Sequence, residues 1–302
     1  MPLSSSYAES SNGSLASGYE ALAAENYEQS FEIFSALVNQ GSTEAHFSLA
    51  LFYKNGWGQV ESNPKRACEL FSYAAKNGIP VAQQEYGYCI VHNHGVDISD
   101  KPQEWFKKAY NDGVYEAACD IGRLYLGTQW QQRNLPLAIN WCKQAAQRSA
   151  LKAQVTLGDI YANYSEVFNI EQAEFWYTQA INNDSGEAAY KLAKIYLRLI
   201  GQQQGGEDTA NRALFLMELA SSRFMEKAYE PTAKMYWKKL QSSATDGSAL
   251  LAKSYLWAKA AHHVNPTAQA TQFLAEVERE LPTQWKTKLD SQVEEFIESK
   301  VR

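Results

Sequence analysis

The chain has 302 residues, 45% of them hydrophobic, which is enough to bury a sizeable core and argues against global disorder. Its formal charge of −6 and isoelectric point near 5.5 argue against general nucleic-acid binding, which needs a basic stripe to displace counterions. No apolar run reaches the roughly 18 residues of a membrane span, and the N-terminus shows neither the basic nor the apolar region of a signal peptide. The expectation is a cytoplasmic protein with no membrane insertion, although a mature periplasmic or secreted chain would read the same way.

In chain order, residues 1–17 are read as a flexible, Ser-rich N-terminus. Tyr27, Phe31 and Phe34 then recur at helical spacing after a short turn. From Ala45 onward one pattern returns. AHFSLALFY (45–53) reappears as AACDIGRLY (117–125), AQVTLGDIY (153–161) and AAYKLAKIY (188–196), and more loosely as AQQEYGYCI (82–90) and AYEPTAKMY (228–236). The leading alanines are Ala45, Ala82, Ala117, Ala153, Ala188 and Ala228, a period near 36 residues that marks a repeat architecture.

Each copy has a second half, seen in ACELFSYAA (67–75), PQEWFKKAY (102–110), AINWCKQAA (138–146), AEFWYTQAI (173–181) and ALFLMELAS (213–221). SYLWAKAAH (254–262) fits more loosely. Alanine and large apolar residues at i, i+3 and i+7 predict a second amphipathic helix. The small residues of the first helix let a neighbouring helix approach. Gly56 and Gly58 supply positive φ after the first helix, and Gly78 or Gly113 closes the hairpin. Asn63, Asn134, Asn169 and Thr209 are the expected N-caps of the second helices, with Pro64 at a first helical position. Trp105, Trp141, Trp176 and Trp257 share one register on that helix and are assigned to the core.

The order A-x-x-x-L-G-x-x-Y, Gly-x-Gly, N-x-x-x-A-x-x-W-Y-x-x-A-A-x-x-G resembles the Sel-one-like repeat of bacterial type, a relative of the tetratricopeptide repeat. The resemblance covers about 45–262 and is strongest over 45–78, 117–149 and 153–184. Residues 18–40 resemble a tetratricopeptide-type first hairpin, and 273–300 resemble capping helices with Trp285, Leu289, Val293, Phe296 and Ile297 in one apolar stripe. The implied fold is all-α, a right-handed superhelical solenoid of about seven hairpins over 18–264 with a helical cap over 265–302. The copy at 82–113 departs from the pattern at Ile90 and Pro102, and the copy at 188–221 carries an extra loop, GQQQGGEDT.

Catalytic signatures are absent. GWGQVE has two glycines and follows a helix, so it is no dinucleotide fingerprint, and neither a phosphate-binding loop nor G-x-S-x-G occurs. His92 and His94 lack a third ligand at helical spacing. Cys68, Cys89, Cys119 and Cys142 form no C-x-x-C and fall in apolar helical patterns, so they are expected to be plain core cysteines in a reducing compartment. No cofactor, metal or catalytic residue is expected, and the chain is read as no enzyme.

By analogy with tetratricopeptide arrays, the third and seventh positions of each copy, and residues a turn further on, would face a partner. The third positions are Phe47, Gln84, Cys119, Val155, Tyr190 and Glu230; the seventh are Leu51, Tyr88, Arg123, Asp159, Lys194 and Lys234. The expected partner-binding residues are Phe47, Leu51, Tyr88, His92, Arg123, Asp159, Asn163, Tyr190, Lys194, Arg198, Lys234 and Trp237. The row turns basic and aromatic toward its C-terminal end, which suits a protein segment carrying acidic residues. The expected function is a non-catalytic scaffold or adaptor that binds a partner segment in the concave groove lined by these residues. Alternatives are a toxin-immunity or secretion-associated accessory protein that binds a specific effector and, more remotely, an enzyme of unrecognised type.

Overall fold

The computed structural model describes residues 13–95, 99–242 and 247–300. The described residues form sixteen α-helices and one short 3-10 turn, with no strand among them. By internal contacts the chain divides into Met1–Ala150 and Leu151–Arg302, here called unit 1 and unit 2. The N-terminal stretch 1–12 and most of the polar loop at 241–247 lie outside the described residues.

Unit 1 holds α1 (Leu15–Ala23), α2 (Tyr27–Asn39), α3 (Thr43–Asn55), α4 (Pro64–Lys76), α5 (Pro80–Val91), α6 (Pro102–Asn111), α7 (Ala117–Leu124) and α8 (Leu135–Ala146). Unit 2 holds α9 (Leu151–Asn163), α10 (Ile170–Asn182), α11 (Gly186–Gly201), α12 (Glu207–Ser222), α13 (Glu226–Ser242), α14 (Ser248–Val264), α15 (Ala268–Glu280) and α16 (Thr283–Ser299). Within each unit successive helices pack as hairpins, each hairpin against the next, and α16 returns to lie on α14.

One local device recurs at the hairpin bends. The backbone N–H of the cap asparagine donates to the carbonyl of the repeat's tyrosine: Asn63 to Tyr53 at 2.8 Å, Asn134 to Tyr125 at 2.8 Å and Asn169 to Tyr161 at 2.9 Å. The asparagine Oδ1 then accepts from the third backbone N–H of the helix it opens, Arg66, Leu137 and Gln172 respectively. Between them Gly56 and Gly58 take φ of 67° and 64°, which frees Trp57 to pack edge-on against Phe52. The glycine-tryptophan-glycine stretch is thus a structural bend. The expectation fails at Thr209, because α12 begins earlier, at Glu207, with Gly206 as its cap. Glu207 and Asp208 favour that start by placing negative charge in the first turn.

Small residues at the sixth position of each first helix set the spacing inside the hairpins. A Cβ on Gly158 would stand 2.6 Å from the Tyr177 ring, and one on Gly122 would stand 2.7 Å from the backbone oxygen of Ala138. The helices therefore meet at distances only glycine permits.

The cysteines overturn their expected state. Cys68 on α4 is bonded to Cys89 on α5, joining two successive hairpins, and Cys119 on α7 is bonded to Cys142 on α8, within one hairpin. All four are buried. They fill apolar positions as expected, but as two bridges rather than four free thiols. Of the tryptophans assigned to the core, Trp105 and Trp176 are buried, while Trp141 and Trp257 are half-buried against it.

Candidate functional site

The seventh position of the repeat stands out in all six copies. Leu51, Tyr88, Arg123, Asp159, Lys194 and Lys234 are each half-buried or exposed, and in five copies both chain neighbours are buried. A helix that buries the residues on either side of one position presents that side chain outward. The third position is less regular, because Cys119 and Val155 are buried. Those two do not belong to a surface row.

Several expected site residues are engaged internally. Phe47 and Leu51 pack on the unit 1 core, Phe47 with its ring 5.9 Å from that of Phe71. Trp237 meets Phe273 edge-on in the core of unit 2. Asn163 donates from its amide to the Asp159 carbonyl of its own helix. Asp159 accepts from Tyr177 and from Lys191, both at 2.7 Å. Tyr190 is half-buried under the ammonium of Lys194, which lies 5.6 Å from the ring centroid. Lys234 pairs with Glu230 at 2.5 Å and sits over Phe273. His92, Arg123, Asn163, Lys194, Arg198 and Lys234 are the exposed members, of which Asn163 bonds to its own helix and Lys234 to Glu230.

In unit 1 the structure brings Tyr88, His92 and Arg123 to one cavity of about 300 Å³, walled by Phe106 and Leu124. At its polar side is Asp120, which the sequence reading did not single out. Its carboxylate accepts from the Tyr88 hydroxyl at 2.5 Å and from the Gln84 amide at 2.6 Å, with the Arg123 guanidinium 3.9 Å away. Burial, and then the charge and hydrogen bond of Asp120, push the Tyr88 hydroxyl pKa far above the ordinary phenol range. Tyr88 therefore acts as a fixed donor and not as a proton carrier.

Asp120 belongs to a pattern the fourth position makes legible. In four of the six copies the side chain there reaches back to the preceding hairpin, whereas Thr156 of the fourth copy donates to the Lys152 carbonyl of its own helix. Ser48 meets Tyr19 at 2.9 Å, Glu85 meets Lys54 at 2.7 Å, Asp120 meets Tyr88, and Lys191 meets Asp159. In the last two cases the residue reached is the seventh position of the copy before. The sixth copy carries Pro231 at this place, inside α13. Proline has neither a charge nor a side-chain donor, so the rung that would engage Lys194 is missing. Among the described residues neither Lys194 nor Arg198 is ion-paired, and the same holds for Lys152, Lys227, Lys238, Arg279 and Lys288, whereas Lys191, Arg212, Arg223, Lys253, Lys259 and Lys286 of unit 2 meet carboxylates.

Among the described residues no three His, Cys, Asp or Glu side chains are grouped as a metal ion would need, and no helix is long and apolar enough to cross a membrane.

These features define a class, all-α proteins built of repeated helix hairpins with a patterned outer row. Four segments, 43–79, 116–149, 152–185 and 186–223, match the Sel1 repeat. The chain therefore carries Sel1 repeats over these four segments, and proteins built of such repeats generally mediate protein–protein interaction. Among solved structures it is similar to a Sel1 repeat protein from Oxalobacter formigenes, with a TM-score of 0.63 and 22% identity over 83% of this chain and all of that one. It is also similar to c5321, a protective antigen of uropathogenic Escherichia coli with an SLR fold, with a TM-score of 0.61 and 20% identity over 95% of this chain and 62% of that one. These likenesses concern the fold. Among characterised relatives, chitin synthase regulatory factor 3 of Schizosaccharomyces pombe is 27% identical over 51% of this chain, and the exopolysaccharide production negative regulator of Rhizobium meliloti is 23% identical over 47%. The chain spans 21% of the first relative's length and 59% of the second's.

Proposed function

We propose that the chain is a non-catalytic adaptor that takes a protein segment on the outward row of its first helices, with acidic residues of that segment meeting Lys194 and Arg198 of α11. The observation that carries this reading is a pair of exposed cations one helical turn apart, Lys194 and Arg198, neither of which meets a carboxylate among the described residues; at Lys194 the fourth-position partner is replaced by Pro231. Exposed, unpaired cations of one sign steer an acidic partner and fix its orientation, and Tyr190 beside them offers an aromatic contact of the kind that anchors interfaces. Lys234 contributes less than its sequence position implied, since Glu230 already pairs with it. The two characterised relatives are named as regulators and not as catalysts, which supports an adaptor.

The test is affinity capture from the native source with wild type beside Lys194→Glu/Arg198→Glu. The double variant should keep its helical signal and melting temperature, because both side chains are exposed, and should lose a partner that wild type retains. Equal capture of that partner by both proteins would remove the α11 site from this reading.

A further inference from the structure

Beside Arg198 lies an apolar cavity of about 330 Å³, formed by Phe168, Ile170, Ile195 and Leu199, with Gln202 and Gln204 also lining it. Phe168 is 52% exposed, a large aromatic held at the surface by the bend before α10. Two kinds of recognition therefore lie close together on the C-terminal half of α11: an apolar recess large enough to admit one large side chain, and the cations Arg198, which lines it, and Lys194, one turn earlier. An exclusively acidic segment would leave the recess unfilled, and an exclusively apolar one would leave the charges unmatched.

We propose that this site selects a short acidic segment containing one large apolar residue, the apolar side chain entering the recess and flanking carboxylates meeting Arg198 and Lys194. This rests on the adaptor reading above and adds the identity of the ligand. Pro231 then has a specific role: by withholding a fourth-position partner it keeps Lys194 available.

The probe is a fluorescein-labelled peptide of sequence Glu-Glu-Asp-Phe-Glu-Glu, measured by fluorescence anisotropy against the full chain, with Phe→Ser and all-Lys-for-Glu peptides as controls. Wild type should bind the probe and prefer it to the Phe→Ser peptide at least about tenfold, a difference of roughly 1.4 kcal/mol. Pro231→Asp leaves every proposed contact residue in place but restores the rung, as Lys191 does for Asp159, and should weaken the probe several-fold while leaving the melting temperature equal or higher. Phe168→Ser, at an exposed position, should remove the preference for phenylalanine alone. Probe affinity unchanged in Pro231→Asp would overturn the role of the missing rung, and equal affinity for the Phe and Ser peptides would overturn the recess. If the native partner is lost in Lys194→Glu/Arg198→Glu while the peptide never binds, the adaptor reading stands and this ligand assignment falls.

The bridges carry a second, independent inference. Both join residues on neighbouring helices, all four cysteines are buried, and both lie in unit 1. Buried bridges between packed helices have to form while the helices are still accessible, during folding, and disulfides persist where the compartment is oxidising. Cys89 is next to Tyr88 and Cys119 next to Asp120, so the bridges anchor the two helices whose hydrogen bond closes the unit 1 cavity. We infer that the chain folds in an oxidising compartment, against the cytoplasmic expectation of its sequence. Acid-quenched native material, denatured and alkylated with iodoacetamide, should show no carbamidomethyl cysteine by mass spectrometry before reduction and four after it. Four alkylated cysteines before reduction would overturn the inference.

Discussion

Replacing Cys68 and Cys89 together by alanine should lower the melting temperature of unit 1 by about 10 °C. The bridge closes a separation of 21 residues, and a cross-link over a loop of that order stabilises by about 3 kcal/mol, chiefly by restricting the unfolded chain. In a unit of about 150 residues each kcal/mol corresponds to roughly 2–4 °C. The Cys119–Cys142 bridge spans a similar separation, 23 residues, and its removal should cost a similar amount. Hydrogen exchange followed by mass spectrometry locates the effect: amides of α4 and α5 should lose protection while those of α11 and α12 keep theirs. A melting curve within a degree of wild type would mean that the bridge contributes nothing to the fold.

The second large effect is expected at Phe52. Its side chain is fully buried on α3, with edge-on ring contacts to Tyr27, Phe31, Phe34 and Trp57 at centroid distances of 6.4, 5.7, 6.3 and 5.4 Å. Phe52→Ala removes the centre of this cluster, and α2, α3 and the glycine bend cannot all collapse into the space. A loss of about 4 kcal/mol is expected, in the range for buried Phe→Ala changes, with the aromatic pairs adding to simple area burial. Urea unfolding measures it. A loss below about 1 kcal/mol would mean that the first two hairpins relax around the void, and that the cluster is not the anchor its geometry implies.

The repeat was legible because it is written in strong local signals. Alanine and glycine at fixed places, a tyrosine at the end of the first helix and an asparagine opening the second each have a single structural solution. The bend from Tyr53 to Asn63 realises it with one backbone hydrogen bond. The bridges were not legible for a physical reason. Cys68 and Cys89 occupy different repeat positions from Cys119 and Cys142, so no periodic signal pairs them, and a buried cysteine satisfies an apolar pattern whether free or bonded. Asp120 carries no signal in the sequence, because it sits at the fourth position and not at the third or seventh, which the analogy with tetratricopeptide arrays marks. The fourth position, where Glu85, Asp120 and Lys191 reach to the neighbouring hairpin, becomes meaningful only once the hairpins are stacked. For the same reason charge alone ranked Lys234 with Lys194, while the structure separates them through Glu230 and Pro231.

The packing of α16 on α14 bears on what surface the hairpin series offers. A series of like hairpins has no intrinsic last member, since the face each one offers is the face the next was shaped to receive. Left uncovered, such an end is an invitation to head-to-tail polymerisation, which a translation-like contact never closes into a ring. Here α16 lays Val293, Phe296 and Ile297 against Tyr229, Ala260 and Trp257, stacks Phe296 on Phe224, and ties Lys300 to Glu226. Helix α16 therefore does more than add to the core of unit 2: it covers part of α14 with residues of the same chain, so that face is not offered whole to a second molecule.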